Sequence, residues 1–333
     1  MDWFESLAGF KEFGYEETRR NFEVVGQRLR SKVNNRSYGI GTLETPSLTE
    51  LRSRAVKVIG DLAGKVAVTN VSGDVRSLHG ESASAQALFQ VASQFNLLEM
   101  TGPSVTPEDG VTRYQHDHTQ GPACAIAAGA ATIYRNYFAL VGGEMGQTRH
   151  RQIDCLHEIG VALGNDDDSL WRMHNGYALC SQDGLERIDR HLHALDKQQM
   201  DDLRGNLRIG LHWNVEVTAA HASTHSVSQA FCSALPISYT DVSQTRWQLF
   251  ATLVLEGAYE ATLWAAALNA RQGFSRTVFL TRLGGGAFGN KKSWIDAAIR
   301  RALNKVRNLR LDVRIVSHGH PDHELVRLAE EFR

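Results

Sequence analysis

The sequence predicts an α/β layered fold with a mixed, mostly parallel central sheet. Strand-like and helix-like segments alternate in the C-terminal part of the chain, where "RTVFLTRL", "KKSWIDAAIRRALNKVRN", "LDVRIVS" and "PDHELVRLAEEF" follow one another. The segment Trp247–Ala270 is apolar on nearly all sides, which indicates a helix in the centre of the core. We therefore expect three layers, with helices on both faces of the sheet.

The front half supplies further elements. Lys65–Asp74 predicts a β-branched strand that ends in Gly-Asp, and Gln86–Asn96 predicts a second strand that leads into a polar loop. Gly121–Val141 has Pro near its start and small apolar residues throughout, which predicts a buried helix. Residues 1–45 begin with polar helical spacing and end in a loop-like stretch, so we expect an N-terminal helical extension to a main domain over residues 46–333.

Composition restricts the partners and the compartment. The 333 residues carry 36 Lys and Arg against 37 Asp and Glu, so there is no electrostatic case for nucleic acid or an anionic membrane. The N-terminus is acidic where a signal peptide is basic, and no stretch approaches the ~20 apolar residues of a membrane span. The four cysteines form no CxxC pair and lie in or after apolar runs, which predicts buried thiols in a reducing compartment. We expect a cytoplasmic protein, or one acting in a host cytosol if it is secreted as an effector.

A glycine loop lies between the strand-like "RTVFLTRL" and the helix-like segment after it. Gly284, Gly286 and Gly289 fit G-x-G-x-x-G, a context in which backbone amides and a helix N-terminus can hold phosphate. A Rossmann domain would need an acidic residue about 20 positions further on and more strands, but only a short segment follows Ser317. A P-loop would need Lys where Asn290 stands. A tight turn that uses glycine for positive φ is the structural alternative.

The same region resembles the second phosphate loop of macrodomains, the ADP-ribose-binding fold. The stretch "VFLTRLGGGAFGNKKSWIDAAIRRAL" followed by "LDVRIVSHG" matches their order of strand, S/G-x-G-x-F/Y-G loop, helix and strand, and Gly-x-Phe-Gly is nearer the poly(ADP-ribose) glycohydrolase branch. The resemblance implies that the loop amides wrap the diphosphate and that Phe288 packs against the distal ribose. The implied ligand-binding residues of the loop are Gly284, Gly285, Gly286, Ala287, Phe288, Gly289 and Asn290.

The front half agrees with this resemblance in part. In "VSGD", Asp74 stands where macrodomains place the acid that accepts from the adenine amine. The asparagine that bonds the distal ribose has no exact counterpart in "FQVASQFNLLEM": Asn96 is favoured, with Gln90, Ser93 and Gln94 as alternatives. The usual first glycine loop is replaced by Thr101–Gly110. The resemblance covers about residues 65–333 and implies an insertion around residues 142–239.

The segment "YQHDHTQGPACA" is the most suggestive polar cluster. Asp117, Thr119 and Gln120 precede a predicted helix start near Gly121, and simple helix capping is the alternative interpretation. Cleavage at C1″ of ribose passes through an oxocarbenium-like transition state that a carboxylate can stabilise. The predicted catalytic residues are Asp117, Glu99 and Gln120, with Asp109 as a third carboxylate and Thr119 as a ligand-binding residue. For Glu99, a surface position at the end of a strand is the alternative.

These observations predict an ADP-ribosyl hydrolase that acts on a modified protein and requires no metal or other cofactor, with ADP-ribose as ligand and product. The polar cluster, "YRNYF" and "CSALPISYT" resemble bacterial effector-type hydrolases that remove ADP-ribose from ubiquitin, which implies ubiquitin and an Arg linkage. One alternative is a non-catalytic ADP-ribose reader.

A second alternative is a zinc hydrolase that uses the H-x-H-x-D-H of "SHGHPDHE". The metallo-β-lactamase pattern needs a further His, Asp and His downstream, and these are lacking. We therefore expect Pro321 and Asp322 to begin a helix, with Asp322 beside its N-terminal dipole. We also expect the three histidines of the segment, His318, His320 and His323, to lie near the rim of a ligand cleft.

Overall fold

A computed structural model describes residues 1–57, 59–219 and 225–333. The helices are α1 (Trp3–Ala8), α2 (Tyr15–Arg20), α3 (Leu48–Val56), α4 (Val75–Gly80), α5 (Gln120–Ala127), α6 (Gly129–Tyr137), α7 (His157–Leu163), α8 (Gln182–Ala194), α9 (Lys197–Gly205), α10 (Gln248–Arg271), α11 (Lys292–Lys305) and α12 (His323–Glu330). The strands are β1 (Phe22–Val25), β2 (Arg28–Ser31), β3 (Ser37–Gly39), β4 (Thr42–Glu44), β5 (Ala67–Ser72), β6 (Leu88–Ala92), β7 (Leu140–Val141), β8 (Glu144–Met145), β9 (Trp171–His174), β10 (Tyr177–Cys180), β11 (Gly210–Glu216), β12 (Ser226–Cys232), β13 (Thr277–Leu280) and β14 (Asp312–Ser317).

A seven-stranded sheet in the order β4-β11-β12-β6-β13-β14-β5 forms the centre of the molecule. Strand β11 is antiparallel to both of its neighbours, whereas β12, β6, β13, β14 and β5 pair in parallel throughout. The predicted mixed, mostly parallel sheet is therefore confirmed. Parallel pairing also brings the carboxyl ends of five adjacent strands to one edge, where loops can form a ligand site.

Helices cover both faces of this sheet. In β12, Ser228 Oγ donates to Asn269 in α10, while the Phe231 ring on the opposite face lies under the guanidinium of Arg135 in α6. Helix α10 is buried along most of its length and contacts α3, α8, α9 and α11. The three-layer α/β/α class and the central position of the long apolar helix are both confirmed.

The N-terminal region is less helical than the sequence predicts. Residues 1–45 contain α1 and α2, but β1, β2 and β3 form an antiparallel meander, and β4 is an edge strand of the central sheet. In β2, Leu29 and Ser31 are buried and Arg28 and Arg30 are exposed. That period of two is the strand pattern, which the helical interpretation overlooked.

The predicted insertion at residues 142–239 is not separate from the sheet. Its second half supplies β11 and β12, and β12 pairs directly with β6. Strand β12 is buried along nearly all of its length, including its polar residues Ser228 and Gln229, as expected for a strand covered on both faces. The hairpins β7–β8 and β9–β10 lie outside the central sheet.

Two further details bear on the sequence predictions. The predicted helix at Gly121–Val141 is divided into α5 and α6 at Ala128, whose backbone leaves the helical region. All four cysteines are buried, as predicted. Within the three described ranges, no helix has the length and apolarity needed to cross a membrane.

Candidate active site

A cleft of about 360 Å³ opens at the carboxyl edge of the parallel strands, within the size range of small-molecule sites. Each of five strands contributes to its lining through the residues that follow the strand. These residues are Gly73 and Asp74 after β5, His318 after β14, Thr281, Arg282 and Leu283 after β13, Ser93 and Gln94 after β6, and Ala234 after β12. The N-terminal turn of α5 and the segment from Glu99 to Thr101 complete the walls.

The glycine loop presents unused backbone donors to this cleft. Tyr259 fixes its start, since the Tyr259 hydroxyl donates to the Thr281 carbonyl (2.6 Å) and accepts from the Leu283 amide (2.8 Å). The amides of Gly284, Gly286, Ala287 and Phe288 have no hydrogen-bond partner among the described residues, and these four residues line the cleft. Unpaired backbone amides in a loop that follows a strand can bind anions such as phosphate.

Three other predicted loop residues shape the loop from outside the cleft. Gly289 has a φ of +73°, and a Cβ there would lie 2.1 Å from Ser238 Oγ. Gly284, which does line the cleft, also has a positive φ, of +69°. Asn290 is buried and donates from Nδ2 to the Leu235 carbonyl at 2.9 Å. Gly285, Gly289 and Asn290 do not line the cleft. Their predicted direct ligand contacts are therefore corrected to a role in holding the loop.

An aromatic wall adjoins the loop. The Phe288 ring lies 5.4 Å from that of Tyr177 and 5.6 Å from that of Tyr239, and Tyr177 and Tyr239 are 5.1 Å apart. The Tyr177 hydroxyl donates to the carbonyl of Met100, the residue after Glu99, at 2.8 Å. Neither tyrosine was identified from sequence as a site residue, although Tyr239 lies in the quoted segment "CSALPISYT", because both meet Phe288 only through the fold.

Glu99 is a fully buried carboxylate in the lining of the cleft. Its Oε1 lies 3.3 Å from Nη2 of Arg135 in α6, and both side chains are inaccessible to solvent. Burial raises the pKa of Glu99 to about 7, and the neighbouring Arg135 opposes that rise. A carboxyl with a pKa near neutrality can both give and take a proton at physiological pH. The alternative surface position for Glu99 is thereby excluded.

Asp117 is the second carboxylate at this end of the cleft. Its Oδ1 accepts from the Thr119 amide (2.8 Å) and the Thr119 hydroxyl (2.6 Å), and Oδ2 has no partner among the described residues. Asp117, Thr119 and Gln120 all line the cleft just before and at the start of α5. Simple helix capping does not explain the cluster, because no side chain caps α5.

Gln120 does not have the catalytic geometry that the sequence predicts. Its Oε1 accepts from the Ala92 amide and its Nε2 donates to the Gln90 carbonyl, both at 2.8 Å. Both ends of the amide are thus bound to the backbone at the end of β6. Gln120 joins α5 to the sheet, and a Cβ on neighbouring Gly121 would lie 1.9 Å from the Ala92 carbonyl oxygen.

Asn96 is also corrected. It is buried, lies outside the cleft lining, donates to Gln152 Oε1 (2.8 Å) and accepts from the Leu98 amide (3.1 Å). Of the three alternatives, Ser93 and Gln94 line the cleft. The Gln94 amide bonds Met100 through both its oxygen and its nitrogen, and so closes the loop that presents Glu99.

Of the two remaining predicted carboxylates, Asp74 lies in the cleft lining and Asp109 does not. Asp74 lines the cleft and caps α4, where its Oδ1 accepts from the Ser77 amide at 2.8 Å. Asp109 is bonded to the amide and hydroxyl of Thr106 and does not line the cleft.

Of the three histidines expected at the rim, His318 lines the cleft, whereas His320 and His323 do not. Asp322 caps α12 by accepting from the Glu324 amide at 2.9 Å. Asp322 also pairs with Nη1 of Arg282 at 2.6 Å. Arg282 lines the cleft and was not identified from sequence. Across the described part of the chain, no group of three or more His, Cys, Asp or Glu side chains has a spacing suited to a metal.

No family model matches the chain, and no curated protein matches it either. Solved structures do. The chain is similar to poly(ADP-ribose) glycohydrolase from Deinococcus radiodurans in complex with ADP-ribose (11% identity, TM-score 0.47, covering 87% of this chain and 93% of that one). It is also similar to the Thermomonospora curvata enzyme bound to the inhibitor ADP-HPD (12% identity, TM-score 0.43, 95% of each chain) and to a point mutant of that enzyme (11% identity, TM-score 0.46, 96% of each chain).

Proposed function

We propose that the chain hydrolyses the glycosidic bond between ADP-ribose and a modified protein. One observation carries this proposal. Along the carboxyl edge of the sheet, Asp74 follows β5, the glycine loop follows β13, and Glu99 lies beyond the end of β6. The side chains and amides at this edge thus occur in the order of the groups in ADP-ribose. They are an acceptor for the adenine amine, then donors for the diphosphate, then carboxylates for the distal ribose.

The diphosphate would bind the amides of Gly284, Gly286, Ala287 and Phe288. Because the chain has a formal net charge of −1, overall charge does not attract an anion, so local donors must supply the attraction. Oriented backbone amides do this without a lysine or a metal. Phe288 and Tyr177 would then form a wall beside the distal ribose.

The reacting bond would lie between the aromatic wall and the two carboxylates. Glu99, with a pKa of about 7, can protonate the leaving group and afterwards take a proton from the attacking water. Asp117 would stabilise the oxocarbenium-like cation through the carboxylate oxygen that Thr119 leaves unoccupied. In this scheme the chain's own residues supply the chemistry, and no cofactor takes part.

For the substrate, the sequence resemblance to effector-type hydrolases supports Arg-linked ADP-ribosyl ubiquitin. A panel of Arg-, Ser- and Glu-linked ADP-ribosyl proteins that includes ubiquitin tests both the activity and the linkage. We expect release of free ADP-ribose by wild type, greatest from the Arg-linked substrate, and little release by Asp117→Ala. Binding of ADP-ribose without release from any substrate would instead identify a reader, and stoichiometric zinc in the purified protein would favour the metal-dependent alternative.

A further inference from the structure

We propose that the N-terminal segment, residues 1–45, supports the active site. Within it, Glu12 is a positioning residue for both candidate carboxylates. Glu12 holds the 3-10 turn Thr112–His116, here called the carboxylate turn, which leads directly into Asp117. The catalytic meaning of this inference rests on the proposed function. The structural part, that Glu12 fixes the turn, can be tested without activity.

Glu12 binds the amide of Val111, the residue just before the carboxylate turn, and the first amide inside the turn. Its Oε1 accepts from the Val111 amide at 2.9 Å, and its Oε2 accepts from the Thr112 amide at 2.7 Å. The Tyr137 hydroxyl donates to the same Oε1 at 2.7 Å. Amides at the start of a helical turn have no partner within it, and a carboxylate satisfies them well.

The approach of Glu12 is close enough to require glycine beside it. Gly110 has a φ of +78°, and a Cβ there would lie 2.4 Å from the Glu12 carboxyl carbon. From the other side, Trp3 Nε1 donates to the Thr112 carbonyl at 3.2 Å. The N-terminal segment therefore holds both the amide and the carbonyl of Thr112.

The carboxylate turn reaches both candidate catalytic groups. Tyr114, inside the turn, is fully buried, and its hydroxyl accepts from the Glu99 amide at 3.3 Å. The Asp117 amide donates to the Tyr114 carbonyl at 3.1 Å. A shift of this one turn would move the backbone of Glu99 and the side chain of Asp117 together.

Packing joins the same parts. Tyr114 belongs to an apolar cluster that is distinct from the main core. Its buried members include Phe4 and Leu7 from α1 and Ile133 and Tyr137 from α6. The N-terminal segment, the carboxylate turn and the helix that carries Arg135 thus form one packing unit behind the reacting end of the cleft.

The test compares Glu12→Ala with Glu17→Ala, which removes an exposed carboxylate from the same segment. Amide hydrogen exchange should show lost protection at Val111, Thr112 and Tyr114 in Glu12→Ala and unchanged protection in Glu17→Ala. The kcat for ADP-ribose release should fall about 10- to 100-fold in Glu12→Ala, because small misplacements of catalytic groups cost that much. The Kd for ADP-ribose should change much less, since no backbone hydrogen bond among the described residues joins the carboxylate turn to the glycine loop.

Glu12→Gln provides the conservative variant. Its single carbonyl oxygen can accept only part of the set of hydrogen bonds, so its protection and its kcat should lie between those of wild type and Glu12→Ala. Unchanged amide protection at Val111 and Thr112 in Glu12→Ala would overturn the inference. A wild-type kcat in Glu12→Ala despite lost protection in the carboxylate turn would also overturn it. An equal loss of kcat and of ADP-ribose affinity would also contradict it, because that result indicates general damage to the fold. A wild-type protein that releases no ADP-ribose would refute the proposed function, while the exchange data would still show whether Glu12 holds the turn.

Discussion

Glu99 and Arg135 form an ion pair in which neither side chain is accessible to solvent, with Nη2 3.3 Å from Oε1. Arg135 also donates from Nε to the Leu97 carbonyl at 3.0 Å and lies over the Phe231 ring. A buried pair of this kind is seldom optimal for stability, because the desolvation of two charges offsets much of their attraction. Here burial outweighs the attraction of Arg135 and leaves the Glu99 carboxyl with a pKa near neutrality. A carboxyl with such a pKa in the lining of a cleft is expected of an acid–base group.

Replacing Glu99 with Gln should abolish proton transfer while keeping the shape of the side chain. We expect kcat for ADP-ribose release to fall by about 100-fold or more, with little change in the Kd for ADP-ribose. Steady-state kinetics together with calorimetry measure the two quantities. Glu81→Gln, at an exposed position outside the cleft lining, is the matched control, and wild-type turnover by Glu99→Gln would remove Glu99 from the mechanism.

The raised pKa of Glu99 also predicts how stability depends on pH. In the folded protein Glu99 keeps its proton up to about pH 7, whereas the unfolded chain releases it near pH 4.5. The contribution of the protonated carboxyl to the free energy of unfolding is therefore lost as pH rises from 4.5 to 7. The groups that face Glu99 are Arg135, Tyr114 and Cys124. Between pH 4.5 and 7, the free energy of unfolding of wild type should fall relative to that of Glu99→Gln by about 3 kcal/mol.

Denaturant unfolding at several pH values checks this difference. The comparison between the two proteins is needed because burial lowers the pKa of His79 to about 4, and this histidine contributes stability that increases with pH up to 6.5. Subtracting the two curves cancels the His79 contribution. A pH-independent difference would show that Glu99 titrates at an ordinary pKa.

Two residues of the glycine loop should respond differently to the same substitution. A Cβ on Gly289 would lie 2.1 Å from Ser238 Oγ at a φ of +73°, whereas a Cβ on Gly286 meets nothing within 4 Å. Gly289→Ala should therefore weaken ADP-ribose binding at least about tenfold by displacing several amides, since hydrogen bonds to a charged group each contribute about 1.5–3 kcal/mol. Gly286→Ala keeps the backbone amide and meets no protein atom, so it should weaken binding less than Gly289→Ala in the same calorimetric titration, and the opposite ranking would disprove the assigned loop geometry.

Arg282 should hold the start of the glycine loop in place. Its guanidinium binds Asp296 of α11 at 2.9 Å and Asp322 at 2.6 Å, and its carbonyl accepts from the Gly285 amide. Arg282→Met should raise the Kd for ADP-ribose several-fold and lower the melting temperature, because it leaves the partly buried Asp296 carboxylate without its paired cation. Arg300→Met, which breaks an exposed pair with Glu331, should change neither quantity measurably. Equal effects of the two substitutions would show that the Arg282 cluster is only a surface network.

The C-terminal part of the fold could be predicted from sequence because its signals are local. The apolar spacing of α11, the glycine loop between β13 and α11, and Asp322 as the cap of α12 all depend on neighbours a few residues apart. The same holds for the cleft positions of Asp74 and Gly284, which follow directly from strand ends at the edge of a parallel sheet.

The rest depends on contacts between distant parts of the chain. Arg135 meets Glu99, Tyr177 meets Phe288, and Glu12 meets the Thr112 amide across separations that no periodicity reveals. Polar residues between regular elements are ambiguous for the same reason. Asn96, which follows β6, turns into the core, and Gln120, the first residue of α5, bonds to backbone, although both lie in segments where the sequence predicts site residues.

The central claim is that ADP-ribose lies across the carboxyl edge of the sheet in the order of its own groups. A crystal structure of the chain with ADP-ribose tests it most directly. The account predicts adenine beside Asp74, the diphosphate on the amides of Gly284 to Phe288, and the distal ribose between Phe288 and the Glu99 carboxyl. A ligand bound in the reverse direction, or one whose diphosphate lies away from the glycine loop, would contradict it.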